Sequence, residues 1–340
     1  KKKGGAVVRR IRAALQEEPI NISVIYEEAN VRGLPDSLRA QCWLALLNIS
    51  KDDIVFPQTG KHHVDEDIVE KDVNRSMWAW GKCEHAYQER TKYREQLSII
   101  INSVLTRNPE LHYYQGYHDV ATVLLMVTEN VQQAHTLLEK LSTTYFRESM
   151  NCNLDVIIQE LDLMFKIIRI KDQELCNHVL SGMPDFQPFF AVSWVLTWFA
   201  HSIDEPRLLL RLYDFFLTSH PLMALYFSTA LVLHDRDEIL AKRSELSSMH
   251  GIMNGLSAKI TGKSIESIII EAKELFNEIP PSTILSNKIG LSPKTKLVDF
   301  SYEWIQGERK ELLKANGQIL ESSSSSQIIV PSLVLTGLMV

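Results

Sequence analysis

Leu97-Ser98-Ile99-Ile100-Ile101-Asn102-Ser103-Val104-Leu105-Thr106-Arg107-Asn108-Pro109 is the stretch whose pattern decides the fold class. Leu97, Ile100, Ile101, Val104 and Leu105 recur at the spacing that stacks side chains on one face of a helix. Asn108-Pro109 ends the run, because proline lacks the amide that the next helical turn needs.

The same period returns on either side. Leu38, Cys42, Leu46 and Leu47 follow the turn residues Gly33, Pro35 and Asp36. Ile157, Leu161, Met164, Phe165 and Ile168 form another stripe, and Leu208, Leu212, Phe215 and Phe216 a further one, closed by Ser219-His220-Pro221. Ile265, Ile268, Ile269, Ala272 and Phe276 form the last, ended by Pro280-Pro281. No stretch alternates apolar and polar residues between hairpin turns, so the predicted fold class is all-α. Two apolar runs invite a membrane test. Residues 221–233 stop at His234-Asp235-Arg236, and residues 186–200 are interrupted by Gln187-Pro188. A span needs about 20 apolar residues, so both runs are predicted to be core helices.

Bulk properties narrow the function classes. Apolar residues make up 45% and charged residues 23% of 340, the composition of a globular protein with a sizeable core. A net charge of −6 argues against a nucleic-acid or anionic-membrane partner. The basic start, Lys1-Lys2-Lys3 with Arg9, Arg10 and Arg12, is expected to be a solvated face. Cys42, Cys83, Cys152 and Cys176 form no CxxC pair, so neither a zinc site nor a disulfide framework is expected, and a reducing compartment follows. The first residues lack the apolar core of a secretory leader.

Four parts are expected: a basic N-terminal helix or extension at 1–27, a main domain at 28–245, a helical segment at 246–285, and a polar tail at 286–340. Residues 51–65, with Pro57, Gly60 and His62-His63, read as a loop between helices. The tail carries five serines at 322–326 and an apolar end at 327–340 containing Pro331 and Gly337, either an unstructured end or the start of a membrane anchor.

Two segments carry groups suited to chemistry. In Val69-Glu70-Lys71-Asp72-Val73-Asn74-Arg75 the aspartate and arginine are spaced to meet on a helix. Asp72 would then orient the guanidinium and leave other donors for a phosphate-like partner. As an ordinary surface ion pair the same spacing is worth only ~0–1 kcal/mol. In His112-Tyr113-Tyr114-Gln115-Gly116-Tyr117-His118-Asp119, Gly116 permits a constrained backbone from which Gln115 projects. A helix cap with core tyrosines fits those residues equally well.

Context comes from the order of the motifs. The chain resembles the TBC-domain family of Rab GTPase-activating proteins. Arg32-Gly33-Leu34-Pro35, with Leu38-Arg39 and Trp43, is similar to that family's RGxP, LR and W signature. Val69 to Arg75 resembles its IxxDxxR motif, and Tyr113 to Asp119 its YxQGxxD motif. Ser193-Trp194-Val195-Leu196-Thr197-Trp198-Phe199 resembles its SWxLTxF helix, and Arg211-Leu212-Tyr213-Asp214 its RxWD helix. Tyr117 stands where Met or Ile is usual and Tyr213 where Trp is usual, both packing positions.

The resemblance implies a multi-helix fold of two packed helical subdomains and a Rab-family GTPase in its GTP form as partner. It implies that Arg75 and Gln115 are catalytic fingers supported by Asp72, Tyr113, Gly116 and Asp119, on a scaffold that includes Arg39, Trp43, Trp194, Arg211 and Asp214. GTP and magnesium would belong to the partner, so the chain needs no cofactor or metal of its own and acts as a catalytic activator. The segments 112–119 and 211–216, with His220-Pro221-Leu222-Met223, resemble one branch of the family. That branch implies traffic between endoplasmic reticulum and Golgi, action on the cytosolic face, and a C-terminal anchor not present in this chain. Two alternatives stand beside this reading. One is a TBC-like scaffold that binds a GTPase without accelerating it, whose mark would be a lost finger. The other is an HD-type metal phosphohydrolase built on His118-Asp119 with His62, His63 or His112.

Overall fold

Proline, glycine and short polar caps set the joints of this chain. The computed structural model describes residues 2–58, 60, 63–76, 87–151, 155–181 and 186–284. The expected tail at 286–340, His62, Cys83 and Cys152 lie outside the described residues. Among those described there are α-helices and short 3-10 turns and no strand.

The chain opens with α1 (Lys2–Gln16), α2 (Ile22–Val31) and α3 (Asp36–Leu46). α4 (Glu66–Arg75), α5 (Tyr87–Arg107), α6 (Tyr117–Thr128) and α7 (Val131–Thr144) follow. Next come α8 (Asp155–Lys171), α9 (Gln173–Leu180), α10 (Val192–Leu196), α11 (Pro206–Phe216) and α12 (Met223–His234). α13 (Arg236–Leu240), α14 (Leu246–Gly255), α15 (Ser264–Glu278) and α16 (Pro281–Ile284) complete the described part.

Local chemistry explains the boundaries. Asn130 accepts from the Gln133 amide at 2.9 Å to start α7, and Asp172 accepts from the Leu175 amide at 2.9 Å to start α9. Pro206 opens α11, where its missing amide costs nothing. α5 ends before Asn108-Pro109, as its sequence predicts.

Two groups of helices pack together. In the first, α5, α6 and α7 lie against one another, with α3 and α4 on them. In the second, α12 runs through the middle, against α8, α10 and α15. Every residue of α12 from Met223 to Val232 is buried, so this helix has no polar face. Its buried hydroxyls are satisfied within the helix: Ser228 donates to the Ala224 carbonyl at 2.8 Å and Thr229 to that of Leu225 at 2.9 Å. No described helix is long and apolar enough to cross a membrane. α15 buries Ile265, Ile268, Ile269, Ala272 and Leu275, lying along α12. At an area-based 1.5–3 kcal/mol or so for each fully buried large aliphatic, this one stripe is a major tie for residues beyond 245.

The SWxLTxF segment departs from expectation. It is not one helix, because α10 ends at Leu196 and the chain turns sharply. Trp198 and Phe199 take φ of 50° and 67°, left-handed values that β-carbons resist. Packing holds them there. Trp198 touches the rings of Tyr145, Phe146, Tyr213 and Phe216, and Phe199 those of Trp194 and Phe227.

Candidate functional site

Tyr113 joins the two segments singled out in the sequence. Its backbone amide donates to Asp65 Oδ2 at 2.9 Å, just before α4 begins. Its hydroxyl donates at 2.9 Å to Oδ2 of Asp72, further along the same helix. The loop before α6 is thereby fastened to α4 at two points. Asp72 is buried, and its other oxygen, Oδ1, accepts from Arg75 Nη2. Arg75 Nε also donates to the Lys71 carbonyl at 3.2 Å. Arg94 of α5 donates to the Ser76 carbonyl at 3.2 Å, closing the C-terminal end of α4. The guanidinium is thus tethered at its root while the side chain stays exposed.

The Gln115 loop is shaped by aromatic contacts and one glycine. Tyr114 is buried and its hydroxyl donates to the Leu196 carbonyl at 2.6 Å. Tyr117 is buried too, with its hydroxyl 2.5 Å from Ser142 Oγ. Gly116 has φ of 100°, and a β-carbon there would lie 2.8 Å from Thr197 Cγ2. Only glycine meets both conditions. Between these buried neighbours Gln115 alone is exposed, at the turn that leads into α6.

A chain of polar contacts continues behind the loop. With Tyr113 donating to Asp72, its oxygen is left to accept from His118 Nδ1, 2.9 Å away, which puts that ring's proton on Nδ1. Burial pushes His118 below the usual histidine value, with Asp119 and Asp72 pulling the other way. Asp119 Oδ1 lies 3.3 Å from His118 Nε2, and its Oδ2 is 2.8 Å from Nδ1 of His201. That hydrogen bond, followed by burial acting in the opposite sense, leaves His201 above the usual value. Burial raises Tyr113 far above the phenol range, so it stays protonated.

The scaffold residues form a second constellation. Asp214 is wholly buried and accepts from the Leu34 amide at 2.7 Å, Trp43 Nε1 at 2.7 Å and Arg39 Nε at 3.2 Å. Burial pushes its carboxyl up to about 6, against the pull of those donors. Arg211 reaches Glu266 of α15 through Nε at 2.7 Å and Nη2 at 2.9 Å, and the carbonyls of Ala29 and Asn30 at 3.2 and 3.3 Å. Gly33 has φ of 81°, and a β-carbon there would lie 2.9 Å from Arg211 Cδ. The RGxP and RxYD segments therefore meet face to face. Tyr213 is buried under Trp43, ring centroids 5.8 Å apart, and donates to the Thr197 carbonyl at 3.1 Å. Trp194 is buried and stacks on Phe199 at 5.6 Å.

The structure thus joins Arg75, Asp72, Tyr113 and Asp119 in one polar chain, with Gly116 packed beside it. It places Arg39, Trp43, Arg211 and Asp214 in the scaffold. His201 was missed by sequence reasoning, and Thr197 was read only as part of the SWxLTxF motif. His201 carries no helical period or motif spacing of its own, and its partner lies 82 residues away. Glu266, missed as well, lies 55 residues from Arg211.

The all-helical frame holds the exposed Arg75 through the buried Asp72 and presents the exposed Gln115 on a glycine turn. The chain belongs to the Rab-GTPase-TBC domain family, whose model matches residues 36–240. TBC1 domain family member 20 of Homo sapiens is 36% identical over 286 residues, covering 82% of this chain and 68% of its own. GTPase-activating protein gyp10 of Schizosaccharomyces pombe is 29% identical over 294 residues, 84% of this chain and 75% of its own. In fold, the crystal structure of the Ypt/Rab-GAP domain of Gyp1p matches with a TM-score of 0.64 at 16% identity, covering 80% of this chain and 99% of that one. Family membership implies a Rab GTPase as partner and removes the ground for the metal phosphohydrolase alternative. Among the described residues, no group of three or more His, Cys, Asp or Glu is arranged to hold a metal ion.

Proposed function

We propose that this chain accelerates GTP hydrolysis by a Rab-family GTPase in its GTP form, donating Arg75 and Gln115 in trans. Small GTPases are slow because charge on the transferring phosphoryl group is poorly stabilised and the attacking water is loosely held. Arg75 supplies the first need as a planar guanidinium whose donors match phosphate oxygens. A finger arginine is worth about 10³–10⁵ in rate, or roughly 4–7 kcal/mol. Gln115 supplies the second by orienting the water. GTP and magnesium come with the partner.

The observation that carries this reading is Tyr113, which ties the Gln115 loop to the buried aspartate that also holds Arg75. Two exposed donors on one rigid frame suit a transition state that needs both at once. Similarity of the 112–119 and 211–223 segments to one branch of the family supports a Rab of the early secretory pathway, with action on the cytosolic face of the endoplasmic reticulum. Single-turnover hydrolysis across a panel of GTP-loaded Rab proteins tests the proposal and names the substrate. Stimulation of one or a few members is expected. A panel that binds the chain yet shows no acceleration would make it a scaffold instead.

A further inference from the structure

Gly116, beside the exposed glutamine, is touched from two sides, and both contacts lead to the same residue. On one side the methyl of Thr197 occupies the space a β-carbon would need. On the other, the Asp119 amide donates to the Gly116 carbonyl at 2.9 Å. His201 holds both neighbours. Its own amide donates to Thr197 Oγ1 at 3.1 Å, and its ring Nδ1 lies 2.8 Å from Asp119 Oδ2. Thr197 Oγ1 is fixed in turn by donating to the Ser193 carbonyl at 2.6 Å. The result is a closed ring of contacts: His201, Asp119, Gly116, Thr197 and back.

The turn that returns His201 to Thr197 is the one with Trp198 and Phe199 in left-handed conformation. Each such residue costs on the order of 1–3 kcal/mol, and strain of this kind survives only where surrounding packing imposes it. In a helical continuation of α10 the His201 amide would donate to the Thr197 carbonyl; here it donates to the Thr197 hydroxyl oxygen instead.

We propose that His201 is a positioning residue for the glutamine finger, clamping Asp119 and Thr197 so that the turn after α10 fixes the loop presenting Gln115. This rests on the reading of Gln115 as a finger. The groups facing His201 are Asp119 and His118 of α6 and Asp72 of α4, with Arg75 beyond Asp72. Tyr113 and Tyr213 near them stay protonated because burial raises both. His118 is pushed the opposite way from His201. His201 is cationic below its raised value, and the bond to Asp119 is then charge-assisted. It weakens as pH climbs through that value.

Two measurements on the whole chain decide the matter. The first is amide exchange at Gln115 and Gly116 in the free protein, which needs no GTPase. His201→Ala is expected to speed exchange there and leave α12 unchanged. Unaltered exchange would overturn the clamp. The second is stimulated hydrolysis. His201→Ala is expected to lower kcat by about 10- to 100-fold, the scale of a misplaced catalytic group, with KM for the GTPase unchanged. His201→Gln, which keeps a donor but cannot titrate, is expected to recover most of kcat and to lose the decline expected on the alkaline side in the unmodified chain. A raised KM with normal kcat would show that His201 touches the GTPase itself, and would also overturn the proposal. Should the unmodified chain stimulate no Rab while His201→Ala still speeds exchange, the functional reading fails and the clamp stands.

Discussion

Two helices of this protein carry the same local sequence pattern and use it in opposite ways. Asp36-Ser37-Leu38-Arg39 opens α3, and Asp72-Val73-Asn74-Arg75 closes α4. In both, the carboxylate and guanidinium three residues apart are paired. In α3 the arginine side chain is 8% exposed and the aspartate 90%. In α4 the arginine is 70% exposed and the aspartate 5%. The difference shows that pairing on a helix is neutral as to purpose; the neighbours decide. Arg39 turns inward because Asp214 and the Leu34 carbonyl wait for it. Arg75 points outward because Tyr113 and α4 itself hold Asp72 inside, leaving the guanidinium exposed.

The largest effect expected from breaking the outward pair is on rate. Arg75→Ala and Gln115→Ala should each remove most of a stimulation of about 10³–10⁵. Thermal unfolding should barely move, since exposed substitutions cost within roughly ±0.5 kcal/mol. The inward pair predicts the reverse. Asp214→Ala strands the buried Arg39 charge and the Trp43 donor, and should lower unfolding free energy by about 3–5 kcal/mol in denaturant titration.

Glu160 sharpens the contrast, as a buried carboxylate next to another acid, Glu148, rather than an arginine. Burial, and then Glu148, push it from an ordinary 4.5 up to about 8. The folded state holds its proton more tightly than the unfolded chain does. The associated stability is therefore complete below about 4.5 and is lost as pH rises through about 8. Glu160→Gln should flatten that decline, as compared in urea midpoints at about pH 6 and about pH 9.

The smallest effects come from the aspartates of the two matched pairs. Asp72→Asn should cut stimulated hydrolysis by about 10- to 100-fold, through a less well oriented Arg75. Asp36→Asn, at a solvent-exposed carboxylate, should change unfolding free energy by less than about 1 kcal/mol and leave hydrolysis alone. Equal losses of activity from both would erase the distinction drawn here.

Much of the fold was legible because helical period and proline stops are local properties. The stripes at 97–105, 157–168, 208–216 and 265–276 all lie on helices, and for the first and the last two the helix stops just before the turn residues flagged in the sequence. The turn after Leu196 was not legible. Nothing in Thr197-Trp198-Phe199 forbids a helix, and only the surrounding rings make the left-handed path favourable. Of the candidate site, Arg75, Gln115, Asp72, Tyr113 and Gly116 were picked out by ordered motifs. Their connections were not. Tyr113 and Asp72 are 41 residues apart, and Arg39 and Asp214 are 175 apart.

By itself, then, the amino-acid order determined an all-helical chain and the ordered motifs that mark its family. These depend on neighbours one helical turn away, where spacing dictates contact. Tertiary structure alone decided which Asp-x-x-Arg faces the solvent, that Tyr113 binds two segments into one frame, and that His201 closes a ring around Gly116. Those are consequences of burial and of contacts between distant segments, and burial is a property of the folded whole.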